Sequence, residues 1–240
     1  MIITVLKIVF LLGFLIVLHE FAHYIVAKLS GVKVIEFSIG FGKKIFQKVY
    51  KDTVYTLRLV PLGGYVNLKG LDEKSTDIDS YISVSIWKRM AIILAGSIMN
   101  ILFAVVVFFI LVGCVYGFEN ALPATGNFVF TAFDSLKMLF TGQVGVDQFM
   151  GPIGISNVVS ETKALADFIY LLAVVSLSLG ITNLLPIPPL DGFKFLLLII
   201  EGIRRKPFSE SFEYGMQLIG FFLLVGLTVF VAYNDITRIF

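Results

Sequence analysis

At 240 residues, 58% hydrophobic, 14% aromatic and only 15% charged, the chain is too apolar for a soluble globular domain and has the composition of a polytopic membrane protein. Its net charge of +2 gives no basis for nucleic-acid binding. A lone cysteine, Cys114, excludes any disulfide within the chain and, lying in an apolar segment, reads as a small packed residue.

Taken in order, residues 2–27 are long enough to cross a bilayer as a helix, which needs about 20 residues. Only Lys7 precedes the apolar core and no small-x-small cleavage site follows it, so the segment is expected to be a retained span. Its inner half reads LHEFAHYIVA. His19 and His23 stand four apart, one helical turn, so both imidazoles can reach one metal ion, and Glu20 falls beside them as a candidate base. That is the H-E-x-x-H arrangement of zinc hydrolases, in which two imidazoles hold Zn²⁺ and the carboxylate takes a proton from the activated water. The bland reading, two packed helix histidines, is costly, because imidazoles and a carboxylate in lipid need a compensating charge.

Residues 34–68 alternate short β-branched and aromatic runs with Gly40, Gly42, Lys51-Asp52 and Pro61-Leu62-Gly63-Gly64, the pattern of a small sheet of hairpins. Capping the helix bundle is its mundane role. The sharper one follows from the substrate problem: a helix hides its peptide bonds in its own hydrogen bonds, so a segment to be cut must unwind, and a strand edge can pair with it. Residues 72–79, DEKSTDID, read as a solvated connector.

A second span covers residues 90–116, where Gly96 and Asn100 in AGSIMN point to close helix packing and a buried polar group that needs a partner. In the following loop the apolar residues of 128–140 recur with a helical period around Asp134 and Lys137, the signature of an interfacial amphipathic helix. Gly142, Gly145 and Gly151-Pro152-Ile153-Gly154 form a turn-rich approach to the third span, residues 165–185. The apolar run 193–200 is too short to cross and is expected to fold against the bundle, before a fourth span at 216–233. The first loop carries most of the cations, among them Lys28, Lys43, Lys44, Lys48, Arg58 and Arg89, whereas the second holds only Lys137 and Lys163. By the positive-inside bias the first loop is cytosolic and both termini face outward.

This topology brings NLLPIPPLDG, residues 183–192, to the same inner membrane depth as the histidines. Asp191, next to a glycine after a proline-broken helix end, is then a third ligand, leaving a fourth position for water. Its rival reading is a helix N-cap. Asn100 and Asn183 either bond across helices or hold substrate near the metal.

LHEFAHYIVA, IGFGKKIF, VPLGGYV, AGSIMN, GPIGI, NLLPIPPLDG and YNDITRIF, in this order over nearly the whole chain, resemble the site-2 protease family (M50) of intramembrane zinc metalloproteases, particularly its bacterial RseP-like branch. The resemblance implies a Zn²⁺ site of His19, His23 and Asp191, with Glu20 as catalytic acid and base. It also implies substrate handling by the β-sheet loop, matching residues 54–68 approximately, with Val54, Tyr55, Leu57 and Leu59 among the contacting residues, and by Asn183. Two features depart from the pattern. Phe193 stands where a second glycine is usual, and the PDZ domain of RseP-like members has no counterpart, which implies weakened size filtering of a substrate's outer part.

The expected protein is therefore an all-α polytopic membrane protein forming a single domain over residues 1–240, with about four transmembrane helices and a small membrane-associated β-sheet in the first cytosolic loop. The expected activity is cleavage of transmembrane segments of single-pass proteins, such as anti-sigma factors or remnant signal peptides, by regulated intramembrane proteolysis in the bacterial inner membrane, with the lipid bilayer as its other partner. A non-catalytic membrane zinc protein, a transporter or a pseudoprotease scaffold, is the rival. The near absence of ionisable residues along the spans outside the metal cluster argues against a transport path.

Overall fold

The computed structural model describes residues 2–71, 75, 77–143 and 152–239. Asp72, Glu73 and Lys74 of the expected connector, and Gly145 and Gly151 of the turn-rich segment, lie outside the described residues. In chain order the elements are α1 (Ile2–Leu29), β1 (Val34–Tyr50), β2 (Thr53–Leu68), a 3₁₀ turn (Tyr81–Ser83), α2 (Ile86–Tyr116), α3 (Phe118–Phe140), α4 (Pro152–Glu161), α5 (Leu165–Asn183), α6 (Asp191–Arg204) and α7 (Glu210–Ile239). Among these, α1, α2, α5 and α7 are long and apolar enough to cross a membrane.

The centre of the bundle is α2, which packs on α1 along one side and on α5 along the other. Both contacts depend on small residues. A Cβ at Gly180 of α5 would stand 2.8 Å from the Ser97 carbonyl oxygen, so only glycine lets α5 lie this close to α2. Beside it, Ser176 Oγ donates to the Asn100 carbonyl oxygen at 2.8 Å, satisfying a hydroxyl that lipid would leave unpaired. Outward-facing side chains such as Phe10, Leu102, Val106 and Phe222 are exposed, as lipid-facing residues are. Cys114 is also exposed rather than packed.

The segment after α2 does not lie flat as an interfacial helix. Gly117, at φ 91°, turns the chain straight into α3, a longer helix than residues 128–140, which packs back along α2 and α5. Phe128, Ala132 and Leu136, spaced four apart, form the stripe that meets Ala104, Leu177 and Ile181, and Phe128 stacks on Phe108 at 4.1 Å between ring centres. The apolar period was read correctly; its partner is the bundle rather than the bilayer surface. Asp134 and Lys137 remain exposed on the opposite face.

In the first loop, two long antiparallel strands, β1 and β2, stand in place of the short runs expected over residues 34–68. Lys51 and Asp52, both at positive φ, make the two-residue turn between Tyr50 and Thr53, the backbone that matches strand twist. Gly40 and Gly42, at φ 86° and 84°, bend β1 instead of ending it. Residues 34–39 therefore meet 64–68 along one side and 54–57 along the other, while 44–50 pair back with 53–58. The Arg58 guanidinium spans the bend, donating to Ser38 Oγ at 2.8 Å, the Gly42 carbonyl at 3.0 Å, Glu36 Oε1 at 3.1 Å and Tyr65 Oη at 2.7 Å. Burial pushes the Glu36 carboxyl up, but its hydrogen bonds from Tyr65 and Arg58 outweigh that and hold it below the usual carboxylate range.

At the inner end of the bundle, Arg89 of α2 forms a two-pronged pair with Glu201 of α6, at 2.5 and 3.1 Å, and lies over the Tyr81 ring. Burial lifts the Tyr81 hydroxyl to about 12. This clamp fixes α6, and with it Asp191, against α2.

Candidate metal centre

His19 and His23 lie on the face of α1 turned toward α2 and are 8% exposed. Asp191 is the first residue of α6; Leu190 holds the N-cap position and no side chain caps the helix, so the N-cap reading of Asp191 finds no support. The aspartate instead turns to the histidines. His19 Nε2 lies 3.0 Å from Asp191 Oδ2, His23 Nε2 lies 3.2 Å from the same oxygen, and the two Nε2 atoms are 3.1 Å apart. Zinc bonds of about 2.0–2.1 Å in tetrahedral array set ligand atoms roughly 3.3 Å apart, so the triangle has the size one such ion requires.

Its chemistry points the same way. The Ile92 carbonyl oxygen lies 2.7 Å from His23 Nδ1 and can only accept, so Nδ1 carries a proton and Nε2 is the nitrogen turned to the Asp191 carboxylate. At 3.2 Å the carboxylate and the ring nitrogen are held together by positive charge, supplied by a proton on Nε2 or, between the three groups, by a metal ion. Room for it comes from Gly96 on α2. A Cβ there would stand 2.5 Å from His23 Nε2 and 2.6 Å from His19 Nε2, on the ligand atoms themselves.

Glu20 lies beside this triangle. With His19, Asp191, Asn100, Asn183 and Lys194 it lines a cavity of about 300 Å³, walled on the apolar side by Ile16, Leu179, Pro189 and Leu190. Asn183, the last residue of α5, reaches the cavity because the helix ends there. Lys194, one turn after Asp191, brings a positive charge to the same cavity, close enough to act on the Glu20 carboxylate.

The sheet also reaches the site, inside the expected stretch 54–68 but away from Val54, Tyr55, Leu57 and Leu59. A Cβ on Gly64 would stand 3.5 Å from Glu20 Cγ, and one on Gly13 would stand 3.0 Å from the Pro61 carbonyl oxygen. Residues 61–64 thus run against α1 beside the carboxylate. Val54, Tyr55, Leu57 and Leu59 do not line the cavity. Val54 and Tyr55 are half-buried, with Tyr55 Oη bonded to Tyr24 Oη at 2.6 Å, while Leu57 and Leu59 are exposed.

Gly96, Gly64, Lys194 and the Ile92 carbonyl are thus added to the expected set. Gly96 had a signal, since it precedes Asn100 by four positions in AGSIMN, but helix packing explains that signal equally well. The Ile92 carbonyl had none, because every residue has one.

Residues 7–227 match the model of Peptidase family M50. Among relatives, Zinc metalloprotease RasP of Shouchella clausii is 40% identical over 116 residues, covering 48% of this chain and 28% of that protein. Its namesake in Oceanobacillus iheyensis is 23% identical over 99% of both chains. A Helicobacter pylori (strain J99) protein whose name includes the words zinc metalloprotease is 28% identical, over 96% of this chain and 98% of that protein. These last two alignments run over 423 and 344 positions against 240 residues here, so both relatives carry internal segments that this chain lacks.

Proposed function

This chain belongs to peptidase family M50, and from that premise we propose that it is a zinc endopeptidase that hydrolyses a peptide bond in the transmembrane segment of a single-pass bacterial membrane protein, near the cytosolic face. The observation that carries the proposal is the meeting of His19, His23 and Asp191, with ligating atoms within 4.8 Å of one another, beside a cavity that His19 and Asp191 line together with Glu20. Anti-sigma factors and remnant signal peptides are the substrate classes in view. The cytosolic placement of the site, with both termini outside, rests on the cation-rich first loop.

His19, His23 and Asp191 would hold the zinc. When bound, zinc supplies a Lewis acid that polarises the scissile carbonyl and lowers the pKa of water to about 7. Glu20 accepts the proton from the attacking water and delivers it to the leaving amine nitrogen, so the carboxylate is restored at the end of the cycle. Lys194 donates to the carbonyl oxygen as negative charge gathers there, and Asn183 fixes the substrate backbone at the cavity mouth. Residues 63–66, the strand segment nearest Glu20, pair with the unwound substrate and replace its lost helical hydrogen bonds. Val54, Tyr55, Leu57 and Leu59 contact the substrate farther from the cut.

The test is cleavage of tagged single-pass substrates by the purified protein in lipid, with and without a chelator, beside the Glu20→Gln variant. Zinc content is expected to stay at the wild-type level in Glu20→Gln while turnover falls at least about 10²–10⁴-fold. Retained turnover in that variant removes Glu20 from its role, and chelator-resistant cleavage removes the metal.

A further inference from the structure

We infer that Asn100 is a positioning residue for the metal centre, its amide carbonyl accepting the Nδ1 proton of His19 and so aiming His19 Nε2 at the ion. The inference deepens the proposed function and rests on the metal reading of His19, His23 and Asp191.

Asn100 is 1% exposed, on the face of α2 against α1. Its Nδ2 lies 3.5 Å from His19 Nδ1, while its Oδ1 is buried without a hydrogen-bond partner. His19 Nε2 points at Asp191 Oδ2, so a metal held there requires the proton on Nδ1. Two donors, the amide NH₂ and Nδ1–H, then face each other while an acceptor stands idle on the same side chain. A half-turn of the amide exchanges its oxygen and nitrogen with no other atom moving. The carbonyl then accepts from Nδ1, and the NH₂ group turns to the wall of the cavity that Asn100 lines.

His23 shows the same device already complete, with its Nδ1–H donating to the Ile92 carbonyl at 2.7 Å. Both outer acceptors come from α2, two turns apart, with Gly96 between them. One helix therefore supplies the space for the ion and the tautomer of each imidazole. Outer partners of this kind raise ligand basicity and fix ring orientation, and their loss typically costs 10–100-fold in metal affinity.

The experiment uses the full chain in lipid nanodiscs, zinc affinity measured by competition with a chelating dye, and ¹⁵N spectra of histidine-labelled protein, where the two histidines give two assignable rings. In the zinc-loaded wild type both rings should carry their proton on Nδ1. Asn100→Leu should weaken zinc binding about 10–100-fold and shift the His19 Nδ1–H signal to that of a ring proton without an acceptor, whereas Asn100→Asp, which keeps an acceptor, should restore both. Wild-type affinity in a folded Asn100→Leu, or a zinc-loaded wild type whose His19 Nδ1–H shows no hydrogen-bonded shift, overturns the inference and leaves the protease reading standing. If Asn100→Leu does not fold, the wild-type spectrum and Asn100→Asp decide alone. A wild type that binds no zinc brings down the protease reading itself, a distinguishable result.

Discussion

Around His19 the chain is held from every side: α1 gives two imidazoles, α2 a glycine, the Ile92 carbonyl and the Asn100 amide, α6 a carboxylate, and Arg89 with Glu201 locks α6 to α2. The sheet beside it is built otherwise. Phe41, Ile45, Phe46, Val49 and Tyr50 are exposed, and one guanidinium ties the bend together. The pocket is defined by close contacts between rigid helices, the sheet by a few polar bonds around glycine bends. On the proposed function, chemistry that needs sub-ångström placement would sit on the first, and an edge that accepts varied unwound segments on the second.

The contrast breaks hardest at Gly96. Gly96→Val puts side-chain atoms where the ligand nitrogens stand, so zinc binding should fall by roughly 100-fold or more and cleavage with it, as measured by metal content and turnover together. Arg58→Ala acts on the other region. It frees the bend that carries residues 63–66 past Glu20, and cleavage of a helical substrate should drop about tenfold with zinc content unchanged; equal loss of metal would show that the two regions are not separable. Lys194→Met should lower kcat by roughly three- to tenfold with little change in KM, since its donor acts on charge that develops during reaction.

The smallest effect is one of pH. The folded Glu36 carboxyl titrates below its unfolded value, so its contribution to the sheet is full above the ordinary carboxylate pKa of about 4.3 and is lost as pH falls through the lower folded value. Amide exchange in residues 36–39 and 64–67, corrected for intrinsic rates, should accelerate between about pH 5 and pH 3 while the α2 core stays protected. Glu36→Gln should flatten that dependence.

Much of the pocket was legible because its ligands are rare residue types in a fixed rhythm: both histidines of the chain one turn apart, and an aspartate set by prolines and a topology that charge bias supplies. The four spans were legible for a similar reason, since length and apolarity alone specify them. What escaped depends on distances between elements. Nothing in the letters of Gly64 says that β2 passes Glu20, and nothing in the period of 128–140 says whether its stripe meets lipid or α5. Even the sheet's punctuation was ambiguous, because the glycines at 40 and 42 bend a strand as readily as they end one.

The folded-back course of α3 bears on how a guest would approach. By resting on Ala104, Leu177 and Ile181 it covers part of the flank where α2 meets α5, and leaves an open cavity there between Thr131 and Leu139 of α3 and Thr182 of α5. On the proposed reading, a guest helix would meet α3 on that flank and the hairpin on the flank of α1.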